Sequence, residues 1–175
     1  ENGVHARASI FMPAGRYDIS ETLVLANVNS LRIFGAGRET TNLAWHGLHQ
    51  YGTPMFLLSD TRSCHFENFT VSGGTSTPLH AAFISENGPE AIVPPTRNTF
   101  KHLRFFAANK PGLDYGIRWT PISPGALDSN NDINTIFDVQ VLNVTKVGFS
   151  IEHSQSKTHN FFRCSCSKGL ACVKT

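Results

Sequence analysis

The sequence predicts an all-β fold: a right-handed parallel β-helix, wound as a single-stranded solenoid of about five coils. Three observations predict it. The first is a recurring six-residue pattern, Phe66-Glu-Asn-Phe69-Thr-Val71, Phe100-Lys-His-Leu103-Arg-Phe105, Ile136-Phe-Asp-Val139-Gln-Val141 and Phe161-Phe-Arg-Cys164-Ser-Cys166. An earlier stretch, Val28-Asn-Ser-Leu31-Arg-Ile33, fits the same frame, so copies start at 28, 66, 100, 136 and 161. Spacings of this size mean stacked units rather than a closed barrel or a sandwich. The second is a companion family, Ala81-Ala-Phe-Ile84, Gly116-Ile-Arg-Trp119, Gly148-Phe-Ser-Ile151 and Gly169-Leu-Ala-Cys172, in which a small residue precedes an alternating strand. The third is composition. Thirteen phenylalanines and only 16% charged residues suit an interior built of side-chain stacks.

Each coil then carries at least two short strands joined by a tight corner. The corner holds Asn68, His102, Asp138 and Arg163 in successive copies. Asn and Asp tolerate left-handed backbone angles, which gives two of the four a mechanism for turning there. In chain order, Ile10–Gly15 reads as a strand ending in a turn, and Tyr17–Ile19, Thr22–Ala26 and Leu31–Phe34 as further short strands. Gly35-Ala-Gly37 then separates coils, and residues 53–59 form the strand that leads into the Phe66 copy. No long helix follows Gly35-Ala-Gly37, which sets aside a dinucleotide loop. The stretches Glu86–Arg97 and Pro121–Ile133 are long connections leaving equivalent corners, and His153–Thr158 is a short one. They are expected to lie side by side as a wall beside the second strand family, where solenoids commonly place function.

The 175 residues suffice for one domain, residues 1–175, and the abrupt start at Glu1 reads as a piece of a longer protein. A net charge of +2 with dispersed basic residues gives no case for nucleic acid. No apolar run reaches the ~18 residues that span a bilayer. Of the four cysteines, Cys164 and Cys166 fall on inward positions and Cys64 is single; all are expected as free buried thiols rather than disulfides. The C-x-C spacing has no second pair and is not a zinc pattern. The sequons Asn68-Phe-Thr70 and Asn143-Val-Thr145 matter only in a secreted eukaryotic protein.

The opening residues carry a likeness. Ile10-Phe-Met-Pro-Ala-Gly-Arg-Tyr-Asp-Ile19, then Thr22-Leu-Val-Leu25 and Leu31-Arg-Ile-Phe-Gly-Ala-Gly-Arg38, resemble the start of pectate-lyase-superfamily proteins. These include polysaccharide lyases, family 28-type glycoside hydrolases, alginate-modifying enzymes and bacteriophage tailspikes. The resemblance implies a parallel β-helix, a polysaccharide partner and an extracellular or virion-surface location, and for a tailspike shaft a homotrimer. The paired-aspartate and Gly-His-Gly motifs of the hydrolases, the calcium-holding carboxylates of the lyases and the Tyr-Gly-x-Asp-Pro-His motif of the epimerases do not appear in this chain. No catalytic residue is therefore carried over.

The strand after the Gly of the second family is the expected floor of a saccharide groove. Its outward row reads Phe83, Arg118, Ser150 and Ala171, with Ser85, Thr120 and Glu152 one step later. Arg118 and Ser150 should be stacked neighbours about 4.8 Å apart. In a functional reading Arg118 grips an acidic sugar through its planar fork, with Ser150, Glu86, Thr120 and a stacking Phe83 as further substrate contacts. Glu152 is the acid or base, Asp128 or Asp132 the second carboxylate, and His153 or Arg118 the base if the reaction is an elimination. The plain alternative is an exposed Arg118–Glu152 ion pair of little worth. No cofactor or metal is expected, except that Asp128-Ser-Asn-Asn-Asp132 has the oxygen ligands of a calcium loop. Trp119 reads as core. The outward row Thr70, Arg104, Gln140 and Ser165 carries no carboxylate and reads as solvated. The expectation is a β-helix that cleaves an extended, acidic polysaccharide by hydrolysis or β-elimination. The competing expectation is a non-catalytic module that binds polysaccharide or forms a tailspike shaft or surface adhesin.

Overall fold

A computed structural model describes residues 8–47, 52–74, 78–87, 96–107, 112–120, 131–152, 156 and 158–175. The described residues form strands and no helix. In chain order these are β1 (Ser9–Met12), β2 (Gly15–Ile19), β3 (Leu23–Ala26), β4 (Arg32–Gly35), β5 (Thr41–Trp45), β6 (Pro54–Ser59), β7 (His65–Glu67), β8 (Thr70–Gly73) and β9 (Leu79–Glu86). They continue as β10 (Thr99–Lys101), β11 (Arg104–Ala107), β12 (Leu113–Thr120), β13 (Thr135–Phe137), β14 (Gln140–Leu142), β15 (Val147–Ile151), β16 (Asn160–Phe162), β17 (Ser165–Ser167) and β18 (Ala171–Lys174). Each strand pairs in parallel with the strand three places on. The first sheet is therefore β1-β4-β7-β10-β13-β16, the second β2-β5-β8-β11-β14-β17 and the third β3-β6-β9-β12-β15-β18. Three all-parallel sheets visited in strict rotation are compatible with a β-helix solenoid.

The first sequence family supplies the first two sheets, in the expected register. Phe66, Phe100, Ile136 and Phe161 are direct partners on the first sheet. Val71, Phe105, Val141 and Cys166 are partners on the second. The stretch from Val28 departs from the expected frame by five residues: Ile33, not Val28, pairs with Phe66. The chain leaves Ile33 through Phe34 and Gly35, and the Gly37–Thr40 turn lengthens this corner before β5. The hexapeptide frame therefore cannot hold there.

The corner residues behave as their position demands. Asn68, His102, Asp138 and Arg163 all have positive φ, between 50° and 61°. Left-handed backbone costs a non-glycine residue about 1–2 kcal/mol. Inter-coil hydrogen bonds offset that cost: the amides of Asn68, His102 and Asp138 donate to the carbonyls of Lys101, Phe137 and Phe162 at 2.9–3.1 Å. A second left-handed column, Ser30, Ser63, Arg97, Ile133 and Thr158, stands two residues before each strand of the first sheet from β4 onward. The next residue in two of those copies, Asn98 and Asn134, is buried and bridges coils. The Asn134 Oδ1 accepts from the Asn98 amide at 3.0 Å, and the Asn98 Oδ1 accepts from the Cys64 amide at 3.0 Å.

The core is a set of aromatic columns. Phe56 and Phe83 stack with centroids 4.6 Å apart and planes 7° from parallel, and Phe66 and Phe100 stack at 5.4 Å. Trp119 is fully buried opposite Ile151, as expected. Phe83 corrects the outward row. It is fully buried and pairs with Ile117, while Ile84 pairs with Arg118. The small residues that align are Ala82, Gly116, Gly148 and Cys172; Ala81 lies one residue before this column and Gly169 three, contrary to expectation. A one-residue slip reverses the face of every side chain, so with Ala82 rather than Ala81 in the small-residue column Phe83 faces the core. Gly116 is small for a reason: a Cβ there would lie 2.4 Å from the Gly148 carbonyl oxygen.

The cysteine expectation is also corrected. Cys166 and Cys172 form a disulfide, with Cα atoms 5.4 Å apart. The chain turns after β17 and brings Cys172 on β18 to Cys166. Cys64 and Cys164 are free, and burial raises both thiols above their usual range.

Candidate functional site

The outer face of the third sheet gathers a polar cluster. Its columns follow the corrected register. Ile84, Arg118, Ser150 and Lys174 form one row, with Arg118 and Ser150 directly paired as expected. Two residues before the small-residue column stand His80, Asp114 and Lys146, one on each of three neighbouring turns. Two residues after Ile84 and Arg118 stand Glu86 and Thr120, which are partners. Glu152 follows Ile151, the partner of Trp119, and so falls beside Thr120.

Arg118 is the hub. Its Nε and Nη2 donate to the two oxygens of Glu152 at 2.9 and 2.5 Å, a two-pronged fork. Its Nη1 meets His80 Nε2 at 2.5 Å. A guanidinium only donates, so His80 Nε2 must accept and the ring proton sits on Nδ1. That nitrogen lies 3.5 Å from the Asp114 carboxylate. Asp114 is held in turn by Lys146 at 2.9 Å and by the Thr145 hydroxyl. The Arg118 guanidinium also lies over the Tyr115 ring, 4.7 Å from its centroid. A continuous relay, Asp114–His80–Arg118–Glu152, crosses the sheet face.

The charge states follow. Burial lowers His80, and the Arg118 cation beside it adds to that, so its imidazole is neutral at neutral pH. Burial alone would raise Glu152, but the Arg118 fork and the Ser150 hydroxyl, which donates at 2.8 Å, outweigh it and hold the carboxyl below its usual range. Asp114 is likewise held low against its burial by Thr145 and Lys146. Glu86 runs the other way. Burial raises it, and the nearby Asp60 carboxylate raises it further. The third sheet thus presents two carboxyl groups driven in opposite directions, Glu86 up and Glu152 down, on either side of Thr120.

Of the expected site residues, Arg118, Ser150, Thr120, Glu86 and Glu152 share this face. Phe83 does not; its ring belongs to the core. Asp132 lies elsewhere, at the approach to the first sheet, where its carbonyl accepts from the Arg97 amide and its charge acts on His159. Asp128 and His153 lie outside the described residues, as does most of the expected loop wall. His80, Asp114, Lys146 and Tyr115 were not singled out from the sequence, although a signal existed. Once Ala82, Gly116 and Gly148 are aligned, His80, Asp114 and Lys146 each fall two residues before the small residue. Among the described residues no group of three or more His, Cys, Asp or Glu side chains is arranged to hold a metal ion. No helix of the described residues is long and apolar enough to cross a membrane. The second-sheet row Thr70, Arg104, Gln140 and Ser165 is in the expected register. It is not without a carboxylate, however, because Glu39 reaches over from a loop to Arg104.

No family model, no curated protein and no solved structure matches this chain.

Proposed function

We propose that this protein is a carbohydrate-active, right-handed parallel β-helix of the pectate-lyase-superfamily type that hydrolyses an extended polysaccharide outside the cell or at a virion surface. Right-handed winding is the expectation for parallel strands linked by crossovers. The observation that carries the functional reading is the Glu86–Thr120–Glu152 row. Two carboxyl-bearing strands separated by one strand put their backbones about 10 Å apart, from two inter-strand steps of about 4.8 Å. Glycosidases that invert configuration hold their carboxyl pair ~6.5–9.5 Å apart, with room for a water between. In that chemistry Glu86, driven toward its protonated form, gives its proton to the departing glycosidic oxygen. Glu152, held ionised by Arg118, takes a proton from the water attacking the anomeric carbon. Arg118 orients Glu152, while His80 and Asp114 orient Arg118.

The test is hydrolysis of a panel of acidic and neutral polysaccharides, with the anomer of the product read by NMR. Replacing either carboxyl, Glu86→Gln or Glu152→Gln, is expected to lower kcat by roughly a hundredfold or more, as loss of a general acid or base does, with the melting temperature little changed. Full activity in the double variant would remove the assignment. A second reading, a non-catalytic polysaccharide-binding or structural module such as a trimeric tailspike shaft or an adhesin, is favoured by one observation: Arg118 already spends its fork on Glu152. Binding without cleavage across the panel would decide for it.

A further inference from the structure

The outer face of the first sheet carries a column in which aromatic pairs flank one anion and one cation. Phe11, Phe34, Glu67, Lys101, Phe137 and Phe162 are successive ladder partners across β1, β4, β7, β10, β13 and β16. The residues beside them on the central strands, Phe66, Phe100 and Ile136, are fully buried, so alternation turns the column outward. Phe11 and Phe34 have ring centroids 5.1 Å apart, and Phe137 and Phe162 6.5 Å. Phe11 is 54% exposed and Phe162 51%. Aromatic rings gathered on one exposed face mark an interaction surface.

The two central charges are not used up within the chain. Arg32 Nη2 donates to Glu67 Oε2 at 2.8 Å, whereas Oε1 is 4.0 Å from His65, beyond hydrogen-bond distance. An ionised carboxylate has about four acceptor sites, so Glu67 has room for a further cation. Lys101 is the ladder partner of Glu67, yet it leans the other way, with Nζ 5.9 Å from the Phe137 centroid. Among the described residues no carboxylate pairs with it. The bridges of Glu67 go to Arg32 and His65, and those of Asp138 to Arg38 and His102.

The column is complementary to itself. Consider a second copy turned over about a two-fold axis that runs along the strands, midway between β7 and β10. Strand direction is kept and the order of the column is reversed. Lys101 of each copy then faces the partner's Glu67, Phe137 faces the partner's Phe34, and Phe162 faces the partner's Phe11. In the neighbouring outward row Arg32 meets Thr135 and His65 meets Thr99, so no like charges oppose one another. A two-fold contact requires this reciprocity, in which one residue meets a second and the second meets the first.

We propose that this face joins two copies of the chain in a two-fold dimer, with Glu67 and Lys101 paired reciprocally and the phenylalanines packed on either side. The inference uses no residue of the third sheet and does not depend on the hydrolytic reading. Five inter-strand steps make the column about 24 Å long. It is narrow, because the central strands are three residues each. A face of this size falls short of the ~800 Å² per partner of a stable interface, so the dimer is expected to be transient, dissociating at roughly 10–100 µM.

The test is sedimentation equilibrium of the full chain from about 5 to 500 µM, a range that brackets that dissociation constant. A monomer–dimer equilibrium is expected. Lys101→Glu sets like charges opposite each other twice and should weaken the dimer about tenfold or more, as should Glu67→Lys. An equimolar mixture of the two variants makes both contacts opposite in sign again, and should associate about tenfold more tightly than either alone. Phe137→Ser should weaken the dimer by a similar factor, and Phe106→Ser, on the second sheet, should leave it unchanged. Circular dichroism checks the fold of each variant. Glu67→Lys also breaks the Arg32 pair, and should it unfold, Lys101→Glu and Phe137→Ser carry the test. The proposal is overturned by a monomer at every concentration, or by unchanged association in a folded Lys101→Glu or Phe137→Ser protein. A mixture of folded variants no tighter than its components also overturns it. So does a trimer, which would support the tailspike-shaft reading instead.

Discussion

Asn98 shows how a single side chain ties coils together. It is 1% exposed, accepts from the Cys64 amide and donates to the Thr61 carbonyl at 3.1 Å. Its removal strands two buried backbone groups, each costing about 1–3 kcal/mol when left unpaired. Asn98→Ala is therefore expected to lower the unfolding free energy by roughly 2–4 kcal/mol, read as a shift in denaturant midpoint at constant slope. Ile133 gives the opposite case. It is a β-branched residue at φ 58°, and it is 45% exposed. Such backbone is a sharp outlier for a branched side chain, and little packing holds it. Ile133→Asn should raise stability by about 1 kcal/mol, and a fall in melting temperature would refute that account. Asn98 and Ile133 sit in neighbouring columns of the same corner, yet only the positive φ of the column was a matter of position; the sequence pattern did not mark Ile133 as a corner residue.

At the scale of the element, the aromatic strands were legible and the turns between them were not. The frame Phe66, Phe100, Ile136, Phe161 reads directly because the two residues between apolar positions are always a tight corner. The second family misled because its small residues mark a backbone contact rather than the start of a strand. Gly116 is set by the carbonyl it would strike, and that carbonyl belongs to the next turn. The disulfide belongs to this scale as well. Cys166 on β17 and Cys172 on β18 stand six positions apart in sequence and close a short loop. Closing so short a loop stabilises by about 2 kcal/mol. Reduction, or Cys166→Ser with Cys172→Ser, is expected to speed amide exchange in β17 and β18 while leaving β8 to β12 protected. Uniform loss of protection across all three sheets would contradict it.

For the whole molecule, the titrating groups set an acid limit. Burial pushes His159 down to about 4, against a weaker upward pull from Asp132. Its ring stands 4.5 Å from Trp119. The unfolded chain, with His159 near its ordinary 6.5, binds the proton first. Stability contributed by the neutral ring is therefore complete above about pH 6.5 and falls as pH drops from there to about 4, on the order of 3 kcal/mol. His80 has the same sign. The lowered carboxyls of Asp114, Asp138 and Glu152 then lose their stabilisation as pH falls below their usual range and through their folded values. Glu86 is opposite in sign, since the folded state holds its proton more tightly. Melting temperature is thus expected to fall steadily from pH 7 to pH 4, with a shallower slope in His159→Phe. An equal slope in that variant would assign the loss to other groups.

The sequence by itself determined the class of fold and the columns of the core. Apolar alternation, a recurring spacing and a turn-forming pair are local properties, and strands obey them wherever they lie. It also identified Arg118, Ser150, Thr120 and Glu152 as residues of one sheet face, because period-two alternation carries across stacked copies; Glu86, expected on the connection that follows, instead closes β9 on that face in the place expected of Ser85. Only the tertiary structure decided which residue faces which. The register of Ala82 against Gly116, the reach of Glu39 across 65 positions to Arg104, and the relay from Asp114 through His80 to Arg118 depend on how coils of unequal length are stacked. Loop length shifts register by whole residues, and one residue is enough to exchange the core for the surface.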